Sequence, residues 1–102
     1  NIGGKNEIKN IEIIEIILKI LTEKVGLDGF SPLDNKTFKI KSFQELIAFV
    51  DDRPGHDFRY AINPNKIEDH LNWKPKETFE SGIEKTVDWY LENIDWLKNL
   101  NE

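Results

Sequence analysis

The sequence contains no cysteine and no methionine. Without cysteine, the chain has no disulfide, no thiolate metal site and no cysteine nucleophile, although this absence says little about the compartment. No apolar run approaches the roughly 20 residues that a membrane-spanning helix needs, and the N-terminus lacks the basic and apolar regions of a signal peptide. These absences predict a soluble protein of the cytoplasm.

Positive charge is also scarce. Nineteen acidic residues stand against 14 basic ones, the formal net charge is -5, and the lysines and arginines form no run. Such a surface repels a nucleic-acid backbone, so nucleic acid is not expected as a partner. The 102 residues, 38% of them hydrophobic, predict one domain over residues 1–102 with one core that buries roughly two-thirds of the unfolded surface. Because the sequence opens on Asn1 without an initiator methionine, we expect a piece of a longer protein.

Three segments combine a capping residue with apolar residues at helical spacing. They are residues 11–25 after Asn10, residues 66–71 after Asn63 and Pro64, and residues 79–99 after Thr78. Residues 26–35 have loop composition, residues 36–41 predict an edge strand, and the apolar residues 46–50 predict a buried strand. The predicted fold class is α/β (α+β), a small, mainly helical domain with about three helices and a few short strands.

Residues 51–60, DDRPGHDFRY, follow the predicted buried strand, a common position for a ligand-binding loop. Arg53 offers a planar fork of donors that suits phosphate or carboxylate. Pro54 and Gly55 predict a turn whose backbone N–H groups an anion can approach closely, and His56 adds a third donor. The segment therefore has the composition of an anion clamp.

An internal salt-bridge cluster explains the same residues equally well. In that alternative, the arginines of the segment pair with its aspartates and merely hold the loop. The arginines are Arg53 and Arg59, and the aspartates are Asp51, Asp52 and Asp57. The side chains alone do not decide between the clamp and the cluster. A metal site is not expected, because His56 and His70 are the only histidines.

The remaining polar and aromatic residues have ordinary structural explanations. Four acidic residues at four-residue spacing indicate a solvated helix face, and the three tryptophans indicate core or partner-facing anchors. These residues are Glu80, Glu84, Asp88 and Glu92, and Trp73, Trp89 and Trp96. Gly3-Gly4 lacks the spacing of a dinucleotide-binding loop, and neither tyrosine heads a Tyr-x-x-x-Lys pair. We therefore expect no catalytic residue and no cofactor-binding residue in this chain.

Five motifs occur in order along nearly the whole chain. They are NIGGKNE at residues 1–7 followed by Asn10, DRPGHDFRYAI at 52–62, LNWKP at 71–75, TFESGI at 78–83 and WY at 89–90. Together they resemble the C-terminal part of the dTDP-glucose 4,6-dehydratase family, which belongs to the extended short-chain dehydrogenase/reductases. DRPGHDFRYAI is the most specific of them.

The resemblance implies a two-domain, commonly dimeric enzyme. An upstream Rossmann domain would hold NAD and the catalytic residues, and the present chain would be the C-terminal sugar-nucleotide-binding domain. Such enzymes convert dTDP-glucose into dTDP-4-keto-6-deoxyglucose and water. By resemblance, Arg53 contacts the diphosphate, residues 52–56 (Asp52, Arg53, Pro54, Gly55, His56) line the substrate, and Asn10 touches the nucleotide. Asp57, Arg59 and Tyr60 would hold the shape of the loop.

Two departures from the family pattern concern the middle and the end of the chain. Residues 24–45 are longer than expected, and Phe30, Phe38 and Phe43 there would cover the site or serve a neighbouring molecule. The chain also ends at Glu102, before a further tyrosine that the resemblance associates with the nucleotide. Two alternatives remain: a domain of another nucleotide-sugar enzyme (an epimerase, a decarboxylase or a GDP-mannose dehydratase), or a non-catalytic module that binds an anion or a partner.

Overall fold

The computed structural model describes residues 1–26, 28–30, 37–39 and 41–100, with residues 28–30 and 37–39 described by their backbone only. The elements in chain order are α1 (Asn10–Val25), β1 (Asp28–Phe30), β2 (Thr37–Lys39), a 3-10 turn (Phe43–Leu46), α2 (Asn65–Leu71), α3 (Phe79–Glu92) and α4 (Ile94–Leu100). β1 and β2 pair antiparallel, with Gly29 opposite Phe38. The chain is mainly helical, as predicted. The α/β class is not confirmed, because the strands among the described residues are two three-residue segments that pair with each other.

Helix α1 begins one residue earlier than the sequence predicts. Asn10 already lies in the helix, and the preceding Lys9 occupies the capping position with an extended backbone. The backbone N–H of Lys9 donates to the Glu12 carboxylate at 2.9 Å. This bond places the N-terminal cap of the helix at Lys9, because the Glu12 side chain folds back over the first turn to accept from the Lys9 N–H. The prediction that Asn10 caps the helix is therefore wrong.

The core is small. Helix α1 packs against α3 and against the 3-10 turn. Among the described residues, the buried apolar side chains besides Pro64 are Leu18, Phe43 and Val87, one from each of these elements. Because Phe43 is only 6% exposed, it packs inside and does not serve as a cover for the site. The side chains of Phe30 and Phe38 lie outside the described residues.

The surface is larger than that of a compact monomer. The chain exposes 8845 Å², whereas a closed domain of its 12.0 kDa mass exposes about 6,000 Å². The unfolded chain exposes about 17,400 Å², so folding buries about half of it and not the predicted two-thirds. A radius of gyration of 17.2 Å against about 13 Å for a compact chain of this length agrees with this result. None of the helices in the described ranges has the length and apolar character to cross a membrane.

The predicted buried strand at residues 46–50 is wrong. Leu46 ends the 3-10 turn, and residues 47–50 have no regular secondary structure. Phe49 and Val50 are 88% and 86% exposed. A β-strand requires a neighbour to satisfy its backbone groups, and the described residues place none beside this segment. The apolar composition favours a strand, but the described residues supply no neighbouring strand to pair with it.

The boundaries of the later helices follow from side chains that bond to the backbone. The Asn63 side chain accepts from the N–H of Asn65 at 3.0 Å, so α2 begins at Asn65 and Pro64 is the residue before it. The predicted helix over residues 79–99 is two helices, because Asn93 leaves the helical conformation between them. The Nδ2 of Asn93 donates to the Trp89 carbonyl at 2.7 Å. Asparagine side chains compete with the helix in this way.

The three tryptophans lie at the surface and not in the core. Trp73, Trp89 and Trp96 are 38%, 45% and 48% exposed. Trp89 meets Tyr90 and Trp96 edge to face, with ring centroids 5.2 and 5.3 Å apart.

Two residues of the predicted acidic face of α3 form ion pairs with a lysine of α1. Lys24 lies 2.7 Å from Asp88 and 3.5 Å from Glu84, which ties α1 to α3.

Candidate anion-binding turn

Residues 53–56 form a tight β-turn. The N–H of His56 donates to the carbonyl of Arg53 at 3.3 Å. Gly55 has a φ of 73°, which matches the third position of a type II turn, and Pro54 supplies the fixed φ that the second position favours. No neighbouring atom lies within 4 Å of the place where a Gly55 side chain would begin. The backbone at the tip of the turn is therefore open to an approaching group, as the sequence predicts.

One carboxylate oxygen braces both ends of this turn. The Oδ1 of Asp52 accepts from the N–H of Arg53 at 2.9 Å and lies 2.5 Å from the Nδ1 of His56. These bonds hold the pKa of Asp52 below its ordinary value, with the His56 contact as the largest cause and the Arg53 N–H as a smaller one. Partial burial opposes them but does not cancel the effect. Asp52 is therefore ionised at neutral pH and acts on the turn itself.

The guanidinium of Arg53 is not neutralised inside the described part of the chain. No ion pair among the described residues involves Arg53, and its side chain is exposed. Arg59 pairs with Glu7, which lies 52 residues earlier in the sequence, and not with an aspartate of its own segment. The salt-bridge cluster proposed as the alternative is therefore not the arrangement that forms. What forms is one Asp52–His56 contact, and Arg53 has no ion-pair partner within the described ranges.

Asn10 is not joined to this turn. It lies in the first turn of α1 with an exposed side chain, and no hydrogen bond in the described ranges connects it with residues 52–56. The structure thus brings Asp52, Arg53 and His56 together and leaves Asn10 apart. The Glu7–Arg59 ion pair does connect the two regions, since Glu7 lies three residues before Asn10. Sequence reasoning missed Glu7, although its position inside the NIGGKNE motif marked it.

A second group of ion pairs connects the NIGGKNE segment to α2 and to the LNWKP motif. The carboxylate of Glu68 on α2 binds Lys5 at 3.2 Å and Lys74 at 3.3 Å. Both lysines lower the pKa of Glu68, and Lys5 has the larger effect. Because Lys74 belongs to the LNWKP motif, this network joins two motifs through a residue of a third element.

Two shallow clefts lie along the NIGGKNE segment. One, of about 390 Å³, separates residues 4–7 from residues 62–65, and the other, of about 370 Å³, separates residues 3–6 from the LNWKP motif and α2. The predicted site residues line neither cleft. The candidate turn lies outside both clefts, and its residues 52–55 are exposed.

The described residues do not fit NAD. A dinucleotide fold presents a glycine-rich turn between a strand and a helix, and the helix N-terminus receives the pyrophosphate. Here residues 1–9, which include Gly3 and Gly4 and precede α1, contain no strand. The N–H of Lys9, the residue before α1, donates to the Glu12 carboxylate, which adds a negative charge at this end of the helix. No three histidine, aspartate or glutamate side chains of the described ranges converge as metal ligands would.

Comparisons with known proteins agree with the motif resemblance. The chain is 51% identical over 100 residues to the dTDP-glucose 4,6-dehydratase of Shigella flexneri and to dTDP-glucose 4,6-dehydratase 1 of Escherichia coli K12, and 47% identical to the dTDP-glucose 4,6-dehydratase of Neisseria meningitidis serogroup B. Each match covers 98% of this chain but only 24 to 26% of the relative. The chain thus spans about a quarter of the length of the curated relatives it matches.

A sequence model of a protein family matches as well. The family described as GDP-mannose 4,6 dehydratase matches residues 1–86, which is most of the chain. The resemblance to the dTDP-glucose 4,6-dehydratases is therefore confirmed at the level of the relatives. The chain belongs to the GDP-mannose 4,6 dehydratase family, and the relatives that it matches at about half identity are dTDP-glucose 4,6-dehydratases.

Proposed function

We propose that this chain is the sugar-nucleotide-binding part of a dTDP-glucose 4,6-dehydratase, a lyase that forms dTDP-4-keto-6-deoxyglucose and water from dTDP-glucose. The names of the relatives support the substrate and the reaction. Since the described residues do not fit NAD, the proposal places NAD and the catalytic residues in the remainder of the protein. This chain then contributes affinity and orientation, which lower the barrier by positioning the sugar.

The observation that carries the proposal is the free guanidinium of Arg53 on a braced turn. A diphosphate requires donors that are not already neutralised, and Arg53 has no ion-pair partner among the described residues. Its planar fork suits two phosphate oxygens at once. The open backbone at Gly55 leaves room for the same group to approach the turn. Asn10 stays in the proposal as a nucleotide contact, supported by its place beside the NIGGKNE motif.

The test is Arg53→Ala in the whole protein, with calorimetric titration of dTDP-glucose. Loss of a charge-assisted hydrogen bond costs about 1–3 kcal/mol, so affinity should fall about 5- to 150-fold. Lys66→Ala is the matched control, because Lys66 is an exposed cation on α2 outside the turn, and it should leave affinity within about twofold. Unchanged affinity in Arg53→Ala would remove the turn from the site.

A second candidate substrate is GDP-mannose, which the description of the matching family favours. The two substrates share a diphosphate and differ in base and sugar, so the turn alone does not discriminate between them. Turnover by the whole protein of dTDP-glucose and of GDP-mannose at equal concentrations decides the matter. The proposal also includes a homodimer and a cytoplasmic location, which light scattering and cell fractionation measure. This chain by itself should turn over neither substrate.

A further inference from the structure

The aspartates of the turn segment pose an electrostatic problem for a diphosphate site. Residues 51–60 carry three aspartates against two arginines, and Arg59 is already paired with Glu7. A phosphate that approaches Arg53 therefore meets more negative than free positive charge, unless the carboxylates are engaged elsewhere. Asp52 is the aspartate nearest to Arg53 in sequence. Its contacts therefore decide whether a phosphate can bind at Arg53.

A single carboxylate oxygen of Asp52 makes both of its hydrogen-bond contacts. Its Oδ1 accepts from the Arg53 N–H at the start of the turn and contacts the His56 Nδ1 at the end of it. An ionised carboxylate only accepts hydrogen bonds, so the Nδ1 of His56 carries a hydrogen. The carboxylate therefore bridges the turn that lies between its two partners, across Pro54 and Gly55.

The same contact determines which nitrogen of His56 faces outward. With Nδ1 held by Asp52, Nε2 is the ring nitrogen left for another partner, and no described residue binds it. The Asp52 oxygen that would repel an anion is thus already occupied by the Arg53 N–H and the His56 Nδ1–H at the two ends of the turn.

We infer that Asp52 is a positioning residue for the phosphate site at Arg53, and that it does not itself contact the ligand. This inference rests on the proposed function, since the ligand is the diphosphate of the nucleotide sugar. It changes the role that resemblance gives to Asp52, which is to line the substrate with the other residues of 52–56. Asp52 acts through the turn that it holds closed, and Arg53 meets the phosphate oxygens.

The experiment compares Asp52→Ala with Asp52→Asn in the whole protein, with dTDP-glucose as the ligand. The alanine removes both hydrogen bonds, so affinity should fall about 5- to 30-fold. The asparagine keeps an oxygen that accepts from the Arg53 N–H and the His56 Nδ1–H, so it should recover most of this loss, to within about threefold of the parent. Thermal melting of both variants separates this effect from general unfolding, because Asp52 lies on an exposed turn.

A second measurement reads the tautomer of His56 directly. In the parent, nitrogen NMR of protein labelled at histidine should show a hydrogen on Nδ1 of His56, with His56→Gln used to assign the resonance. In Asp52→Ala the hydrogen should move to Nε2 in a large share of the molecules, and Asp52→Asn should restore it to Nδ1. A side chain that only filled space would not change the tautomer.

Each outcome decides something. Equal affinity losses in Asp52→Ala and Asp52→Asn would show that binding depends on the charge of Asp52 and not on the hydrogen bonds that its oxygen accepts, which overturns the inference. Unchanged affinity in Asp52→Ala would also overturn the inference. The proposed function is tested separately, by Arg53→Ala. If the tautomer changes as expected but Arg53→Ala binds dTDP-glucose normally, the brace is real and the proposed function fails.

Discussion

The N-terminus of α3 offers a sharp test of how this chain is held together. The Oγ1 of Thr78 accepts from the N–H of Ser81 at 3.1 Å, and the Thr78 N–H donates to the Ser81 Oγ at 3.0 Å. Thr78→Ala removes the first bond and leaves an unsatisfied donor in the first turn. Loss of such a cap costs about 1 kcal/mol, with a range of 0.5–2. The melting temperature of the chain, followed by far-ultraviolet circular dichroism, should fall about 4–8 °C per kcal/mol.

The chain contains a matched control for the same chemical change. Thr86 lies inside α3, where its Oγ1 donates to the Gly82 carbonyl at 2.8 Å. Threonine is a poorer helix former than alanine and its hydroxyl adds little there, so Thr86→Ala should raise stability by a few tenths of a kcal/mol. Thr78→Ser should retain the cap. If Thr78→Ala and Thr86→Ala shift the melting temperature in the same direction by similar amounts, capping is not what stabilises this helix start.

Two further predictions concern the same helix. Gly82→Ala should stabilise the chain by about 0.5–1 kcal/mol in urea unfolding, because alanine favours a helix interior and the added Cβ would meet only the Cβ of Glu77, at 3.8 Å; a loss would show that the glycine is needed there. Lys85, then Ser81, lower the pKa of Glu77, so its stabilising effect is present above the unfolded pKa of about 4.3 and is lost as the pH falls through the lower folded pKa. Glu77→Gln should therefore flatten the acid limb of stability against pH, and Glu23→Gln on α1 should not.

Sequence predicts the helices well because their determinants are local. The stripe of α1 and the cap at Thr78 depend on residues within one turn of each other. The residues that set the helix ends are also close in sequence. The predicted ends are wrong where two neighbouring side chains could each bond to the same stretch of backbone and only one of them does. Glu12 selects Lys9 over Asn10 as the cap, and the Asn93 amide interrupts the last helix. Composition does not rank such competitors, since each bond differs from its rival by less than about 1 kcal/mol.

That residues 46–50 form no strand, and that Arg59 pairs with Glu7, could not be predicted, for a related reason. Both depend on groups that are distant in sequence. A strand forms only where another strand satisfies its backbone, and the described residues place none beside Phe49. Arg59 has three aspartates within its own segment, yet it pairs with Glu7, 52 residues away. The turn itself was predictable, because Pro54 and Gly55 specify it within four residues.

The long-range ion pairs join three motifs of the resemblance in space. Glu7 of NIGGKNE binds Arg59 of the DRPGHDFRYAI motif, and Glu68 joins Lys5 of the first motif to Lys74 of LNWKP. Exposed pairs such as Glu7–Arg59 add little stability each, so their value is geometric. The Glu7–Arg59 pair joins the segment before α1 to the segment after the turn. Arg59 is thereby paired, whereas Arg53 has no ion-pair partner among the described residues, and this difference is the reason why the proposed anion contact is Arg53.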